Sequence, residues 1–316
     1  MTGWPDGPVP PLARSTLDRA AQRRTDPAWL ADAWKRARVL VVDVAAGGRA
    51  LVEGAATAPV LVLLDADAAP EVDPAGRLFL GVEPDGTPVF AVDVLLPVRA
   101  GARAVTLRDV GHLLGDRDAG VFTSAAALAN WHAAQPFSPA SGQPTSVAGA
   151  GWSRIEGEGR QLWPRTDPAM IVAVHDGVSG PAGRCLLGNN ATWPDREGEL
   201  RFSCLAGYVE PGESAEAAVL REVDEEVGVT LDRIEYAGSQ AWPFPGSLML
   251  GFLATADPGQ PLRVDPTEIA VARWFTRREI AAVLAGERVD AGDGRSVTLP
   301  MESSIAFFLI SRWLEG

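Results

Sequence analysis

The chain has 316 residues, 47% of them hydrophobic and 22% charged, and a formal net charge of −13. That balance belongs to soluble globular proteins, gives room for about two domains, and excludes a broad basic surface for nucleic acid, whose binding rests on neutralised phosphates. No apolar run approaches the ~18 residues of a membrane span, so no membrane partner is expected, and Cys185 and Cys204 alone make no disulfide framework.

In chain order, the opening MTGWPDGPVPPLAR lacks a basic start followed by an apolar stretch, so no secretory signal is expected and the cytoplasm is the inferred location. Residues 1–35 are proline-rich and turn helical and basic over Asp26–Arg38. Short apolar runs follow, VLVVDV at 39–44, PVLVLLD at 59–65, RLFLGVE at 77–83 and PVFAVDV at 88–94, and the PDG at 84–86 predicts a hairpin between the last two. A helix is predicted over about 122–133, with Ala125–Leu128 and Trp131 on its apolar side. Residues 135–151 have the composition of a linker. Strand signals resume at Ala169–Val174, Cys185–Leu187 and Arg201–Leu205, then at 232–240, 248–255 and Arg273–Phe275, and a last helix is predicted over about 302–313. Strands wrapped round one helix with a second helix at the end predict an α/β/α sandwich. The fold class is α+β, with a smaller β-rich domain first. His132 and His175, single and unpaired in sequence, are expected to be satisfied structural histidines.

Residues 207–229 read GYVEPGESAEAAVLREVDEEVGV. From Ser214 to Val227 there is neither proline nor glycine, helix formers dominate, and Gly228 sits where a helix stops. At ~100° per residue, Glu222, Glu225 and Glu226 share one side, and Leu220, Val223 and Val227 are expected to pack on the core from the other. Alone, that spacing is ordinary on a solvated helix face. Crowded carboxylates nevertheless repel one another unless a cation neutralises them, and hard oxygen donors suit Mg²⁺ or Mn²⁺. Gly207 and Gly212 are expected to let a loop turn tightly against a phosphate.

The same run resembles the Nudix box, the signature of hydrolases that cut a diphosphate attached to another moiety. Ser239–Ser247, SQAWPFPGS, resembles the SQPWPFPxS motif of the NADH pyrophosphatase branch, departing from it at Ala241. WPRTDPA at 163–169 is similar to that branch's YPRxDPA, and LANWH at 128–132 to the helix that ends its N-terminal domain. The resemblance covers roughly residues 105–315. It implies an N-terminal domain over 1–133, a linker over 134–166 that is a remnant of a zinc ribbon, and a Nudix domain over 167–316. It implies hydrolysis of NADH and NAD⁺ to nicotinamide mononucleotide and AMP, removal of NAD caps from RNA as a side activity, and a homodimer.

Carried over residue by residue, the resemblance makes Glu222, Glu225, Glu226, Arg221 and Glu213 the catalytic set. Metal would be held by Glu222, Glu225 and Glu226, by Glu268 in DPTEI, and by the backbone carbonyl of Ala206. The substrate would meet Gln240, Ala241, Trp242, Pro243, Phe244, Pro245, Gly246 and Ser247, with Tyr208 and Trp163 as flat stacking partners; Arg108 takes the place of a substrate-contacting arginine and Ala306 that of a backbone contact. In Trp242 and Phe244 the prolines present aromatic surface with little entropy left to lose, and Gln240 and Ser247 can bond ribose or phosphate oxygens. Where many relatives carry a first pair of zinc cysteines this chain has Ser138 and Ser141, so no structural zinc is expected, and the segment should be held by packing alone, through Phe137, Trp152 and Leu162. Two other readings stand beside this one: a Nudix enzyme for ADP-ribose or another nucleotide diphosphate, disfavoured by SQAWPFPGS, and a non-catalytic nucleotide sensor, disfavoured by the complete set of box glutamates.

Overall fold

The computed structural model describes residues 7–157, 159–194 and 196–316. Residues 1–6, on which part of the secretory-signal reading rests, lie outside the described residues. By their contacts the described residues form two compact units, one of Pro11–Thr166 with Ala241–Ser247, the other of residues 7–10 with Asp167–Gln240 and Leu248–Gly316.

The first unit begins with helix α1 (Pro27–Trp34), whose N-cap Asp26 accepts from the Trp29 amide and whose Pro27 suits the first helical position. Strands β1 (Arg38–Asp43), β2 (Arg49–Ala55), β3 (Ala58–Leu61), β4 (Leu63–Asp65), β5 (Leu78–Val82), β6 (Pro88–Asp93) and β7 (Arg103–Thr106) follow, then α2 (Leu107–Val110) and α3 (Asp116–Ala134). The sheet runs β3-β2-β1-β6-β5, with β4 also beside β1 and β7 beside β2. β1 pairs with β6 in parallel, at its centre. Leu40 and Val42 join Phe122 and Ala125 of α3 in one core, while Val39 and Val41 join Trp29 and Trp34 in another. Burial on both faces explains why VLVVDV is a continuous apolar run without alternation. The predicted hairpin is there, Glu83 donating its amide to the Thr87 carbonyl.

Within the segment 134–166, read as a linker left from a zinc ribbon, the chain forms strands. β8 (Thr145–Ala148), β9 (Ser153–Glu156) and β10 (Arg160–Leu162) form an antiparallel sheet in the order β10-β9-β8. Nor is packing alone what holds it. Phe137 is 56% exposed. Arg154 instead donates to the Thr145 hydroxyl and carbonyl and to His132 Nδ1, and His132 Nε2 lies 2.9 Å from the Gly151 carbonyl. Trp152 donates its indole N–H to the Phe79 carbonyl. Ser138 and Ser141 turn to Glu156 and hold its carboxyl below the usual range. The Ser141 hydroxyl bonds Glu156 Oε1, whereas Oε2 has no bond of ordinary geometry, so Ser138 acts at longer range.

The second unit has β11 (Asp167–His175), β12 (Arg184–Asn190), β13 (Glu199–Arg201), β14 (Leu205–Tyr208), α4 (Ala215–Val227), β15 (Arg233–Trp242), β16 (Ser247–Thr255), β17 (Ile269–Thr276), α5 (Arg277–Leu284), β18 (Ser296–Thr298) and α6 (Ile305–Glu315). Its sheet runs β15-β16-β11-β12-β17, with β14 also on β11. Met170, Val172 and Val174 of β11 face Val219, Val223 and Val227 of α4, while Ile171 and Ala173 face Ile280 of α5 and Leu309 of α6. Helices on both faces of this sheet make the expected α/β/α sandwich. Each buried valine of α4 contributes about 2 kcal/mol of apolar transfer.

Candidate active site

Helix α4 starts at Ser214, whose hydroxyl accepts from Ala217 N, and ends at Gly228, which adopts a left-handed φ of 67°. Its buried residues are Ala218, Val219, Glu222, Val223, Glu226 and Val227. The acids therefore do not lie opposite the apolar face, as the periodicity alone implies. Two of them are on it. Leu220, expected in the core, is 49% exposed, because the face is set by Val219 and Val223, one turn apart.

Glu222 and Glu226 point toward the end of β14. A Cβ on Gly207 would stand 2.0 Å from the Glu222 carboxyl carbon, so only glycine leaves room for this acid. Gly207 lies inside β14 and needs no positive φ; its role is close approach of a carboxylate, not the tight turn expected of it. That turn belongs to Gly212, at φ 89°. The Ala206 amide favours the charged form of the Glu226 carboxylate.

Arg221 ties the acids together. Its guanidinium donates to both oxygens of Glu213, to Glu222 Oε1, to Glu225 Oε2 and to the Tyr208 carbonyl, all at 2.9 to 3.0 Å. These partners raise the Arg221 pKa, Glu213 foremost, and Arg221 in turn lowers Glu213. Glu226 is only 2% exposed. Burial first, then the charges of Glu222 and Glu268, push its carboxyl up to about 8, against a single helping bond from Ala206. Burial also raises Glu222, opposed by Arg221. Glu268 is exposed, yet its charge is felt at both buried acids, and its carbonyl accepts the Ala191 amide.

Glu226 Oε2 is buried with no protein partner, and a buried carboxylate oxygen without a donor calls for a counter-charge. All the donors here are oxygens, the chemistry that fits Mg²⁺ or Mn²⁺. As they stand, no three His, Cys, Asp or Glu side chains among the described residues form a group that could hold an ion; Arg221 takes one oxygen each of Glu222 and Glu225.

The remaining predicted contacts separate. Arg108 lies over Phe244 at 4.3 Å and over Trp242 at 5.5 Å, and those two rings meet edge to face at 5.0 Å. Trp242 and Phe244 also pack on the core beneath α3, and the Pro243 carbonyl accepts from Asn130. Ala241, Gly246 and Ser247 are half-buried and Pro245 is exposed. Tyr208 and Trp163 are exposed, at 60% and 67%. Gln240 differs from expectation: it is 1% exposed and donates its amide to the Ser303 carbonyl just before α6, so it fixes that helix and presents no surface to a ligand. Ala306 is likewise buried, and its carbonyl accepts from Cys204. Sequence reasoning missed the fit of Gly207 to Glu222. The signal was available, in a glycine on a strand beside an acid on a helix, but only a known strand–helix packing could read it.

Comparison with known proteins agrees with this geometry. Residues 167–293 match the NUDIX domain family model, and residues 38–131 match the NADH pyrophosphatase-like rudimentary NUDIX domain. The chain is 42% identical over 315 residues, 96% of its own length and 95% of the other's, to the NAD-capped RNA hydrolase NudC of Mycobacterium tuberculosis (strain ATCC 25618 / H37Rv). It is 36% identical over 210 residues, 64% of this chain and 43% of the relative, to the NAD-capped RNA hydrolase NUDT12 of Homo sapiens. With its box acids, their arginine tie and a near full-length relative all in agreement, this chain belongs to the Nudix hydrolases, in the NADH pyrophosphatase branch.

Proposed function

We propose that the chain hydrolyses the diphosphate of NADH and NAD⁺ to nicotinamide mononucleotide and AMP, and removes NAD caps from RNA by the same reaction. The observation that carries this reading is the buried pair Glu222 and Glu226, seated on Gly207 and Ala206 within reach of the Glu268 charge. Glu222, Glu225, Glu226 and Glu268, with the Ala206 carbonyl, would hold Mg²⁺ or Mn²⁺. Bound there, the ions offset the charge of the diphosphate and lower the pKa of a water. The chain's own residues do the positioning. Arg221 sets the side-chain angles of Glu213, Glu222 and Glu225 by charge-assisted bonds. A water oxygen bonds one phosphorus, the bridging P–O bond breaks, and a glutamate of this set takes the water's proton. Tyr208, Trp163 and the Trp242–Phe244 pair with Arg108 are the proposed stacking surfaces for the two bases.

Cap removal is favoured because both relatives bear names of NAD-capped RNA hydrolases. The domain plan of 1–133, 134–166 and 167–316, a homodimer and a cytoplasmic location belong to the same reading; among the described residues no helix is long and apolar enough to cross a membrane. The test is incubation with NADH, NAD⁺, ADP-ribose and NAD-capped RNA in Mg²⁺ or Mn²⁺, with products separated. Nicotinamide mononucleotide and AMP are expected. Intact NADH at high enzyme concentration would remove the assignment, and faster turnover of ADP-ribose would redirect it.

A further inference from the structure

Glu268 is the acid of the proposed metal set that lies off α4, and the chain must bring it back to that helix. The segment that does so runs Arg263, Val264, Asp265, Pro266, Thr267, Glu268. Helix α4 ends at Gly228, and the last carbonyls of a helix have no partner within it. This segment takes two of them. The Arg263 amide donates to the Val227 carbonyl at 2.8 Å, and the Asp265 amide to the Glu226 carbonyl at 3.0 Å. The approach is close: a Cβ on Gly228 would stand 2.9 Å from the Arg263 Cβ, so the glycine that stops the helix also admits the segment.

From Asp265 the chain reverses, with the aspartate and the proline in the first two places of a turn, where each is favoured. The Asp265 carbonyl accepts the amides of Glu268 at 3.2 Å and Ile269 at 2.9 Å. Its side chain closes the same turn from within. Asp265 Oδ1 accepts the Thr267 amide at 2.8 Å and the Thr267 hydroxyl at 2.7 Å. The Glu268 carbonyl accepts the Ala191 amide at 2.7 Å, and Ile269 enters β17 beside Asn190 of β12. Glu268 is therefore held at its amide and at its carbonyl, and through Asp265 it is tied to the backbone of Glu226. Asp265 is half-buried, whereas Thr267 and Glu268 are exposed. Water can replace one exposed bond at little cost, so the turn depends on both Thr267 bonds together.

We propose that Asp265 is a positioning residue for the divalent ion: by accepting both Thr267 bonds, its carboxylate holds Glu268 where it can share an ion with Glu226. Asp265 acts through Glu268 and itself touches neither ion nor substrate. The inference rests on the proposed function in one respect, that Glu268 is a metal ligand.

The test measures Mn²⁺ binding to the full chain without substrate, from the electron paramagnetic resonance signal of the free ion. Asp265→Ala should weaken binding about tenfold, the lower end of what loss of a ligand's supporting partner costs. Asp265→Asn, whose side-chain oxygen accepts the same two bonds, should stay within about threefold of wild type. Thr267→Val keeps the shape and loses the hydroxyl bond alone, for an effect of about threefold. In a Glu268→Gln background neither Asp265→Ala nor Thr267→Val should add a further loss, because both act through the acid already removed. Unchanged affinity in Asp265→Ala, or equal weakening by asparagine and alanine, would overturn the proposal. So would a tenfold effect that persists beside Glu268→Gln, which would make Asp265 a ligand in its own right. Should Asp265→Ala not fold, Thr267→Val decides: its effect must appear in wild type and vanish beside Glu268→Gln. Wild type that binds Mn²⁺ and leaves NADH intact would remove the hydrolase reading alone, so the two failures are distinguishable.

Discussion

Arginine is used in two ways in this molecule. Arg221 in the Nudix unit makes five hydrogen bonds, as many as a guanidinium has N–H donors, and four of them go to carboxylates. Arg24 and Arg77 in the N-terminal unit lie on tryptophan rings, with buried Nε atoms that bond nothing. A guanidinium with every N–H engaged has no donor left for a ligand and serves to hold others still. An unsaturated one keeps a donor unmatched. Carboxylates divide the same way: Glu213 has donors at both oxygens, whereas Glu226 has an orphan buried oxygen. Unmet demand, more than charge, marks where chemistry is to be sought.

The largest expected effect comes from removing the unmet acid. Glu226→Gln keeps the shape and deletes the charge; loss of the several kcal/mol that a held ion supplies predicts a fall in kcat on NADH on the order of 10²–10³-fold, with the circular dichroism spectrum unchanged. Gly207→Ala should come next. Its methyl would collide with the Glu222 carboxyl, and a misplaced acid should cost about 10²-fold in kcat/KM. Arg221→Lys keeps the charge but cannot span Glu213, Glu222 and Glu225 together; about 10–100-fold is expected, the range for positioning partners. A variant at full activity would show that saturation is not what makes Arg221 matter.

Stability against pH sharpens the contrast. The Glu226 carboxyl is raised from 4.5 to about 8 in the fold. In the unfolded chain it ionises near its ordinary value, so the folded state loses stability as pH rises from about 4.5 through 8. Without divalent ions the Tm should be lower at pH 8.5 than at pH 5.5. Mg²⁺ should restore it at the higher pH, and Glu226→Gln should flatten the profile. The smallest effect is expected in the linker sheet. Ser141→Ala removes one exposed bond to Glu156 and should lower the Tm by about 2 °C with no change in NADH turnover.

Much of this was legible in the sequence because the signals are local. Ser214 and Gly228 bound α4 as capping chemistry demands, and the apolar runs at 39–44, 77–83 and 88–94 became β1, β5 and β6. The box acids and Arg221 were named, and Arg108, Trp242 and Phe244 were carried over and do meet. What escaped depends on contacts between distant segments. The face that α4 buries is chosen by β11, so Leu220 turned outward while Glu222 and Glu226 turned in. The residues at 145–162 look like loop because a three-stranded sheet joined by Arg154 and Glu156 needs little apolar patterning. Gln240 resembles a ligand donor until Ser303 is seen to claim its amide.

The fit of Glu222 against Gly207 carries an evolutionary corollary. The constraint runs one way: position 207 cannot grow until the acid at 222 withdraws. An aspartate at 222 would retract the carboxyl and open a niche where alanine at 207 becomes tolerable, so sterics permit the two replacements in that order and oppose the reverse.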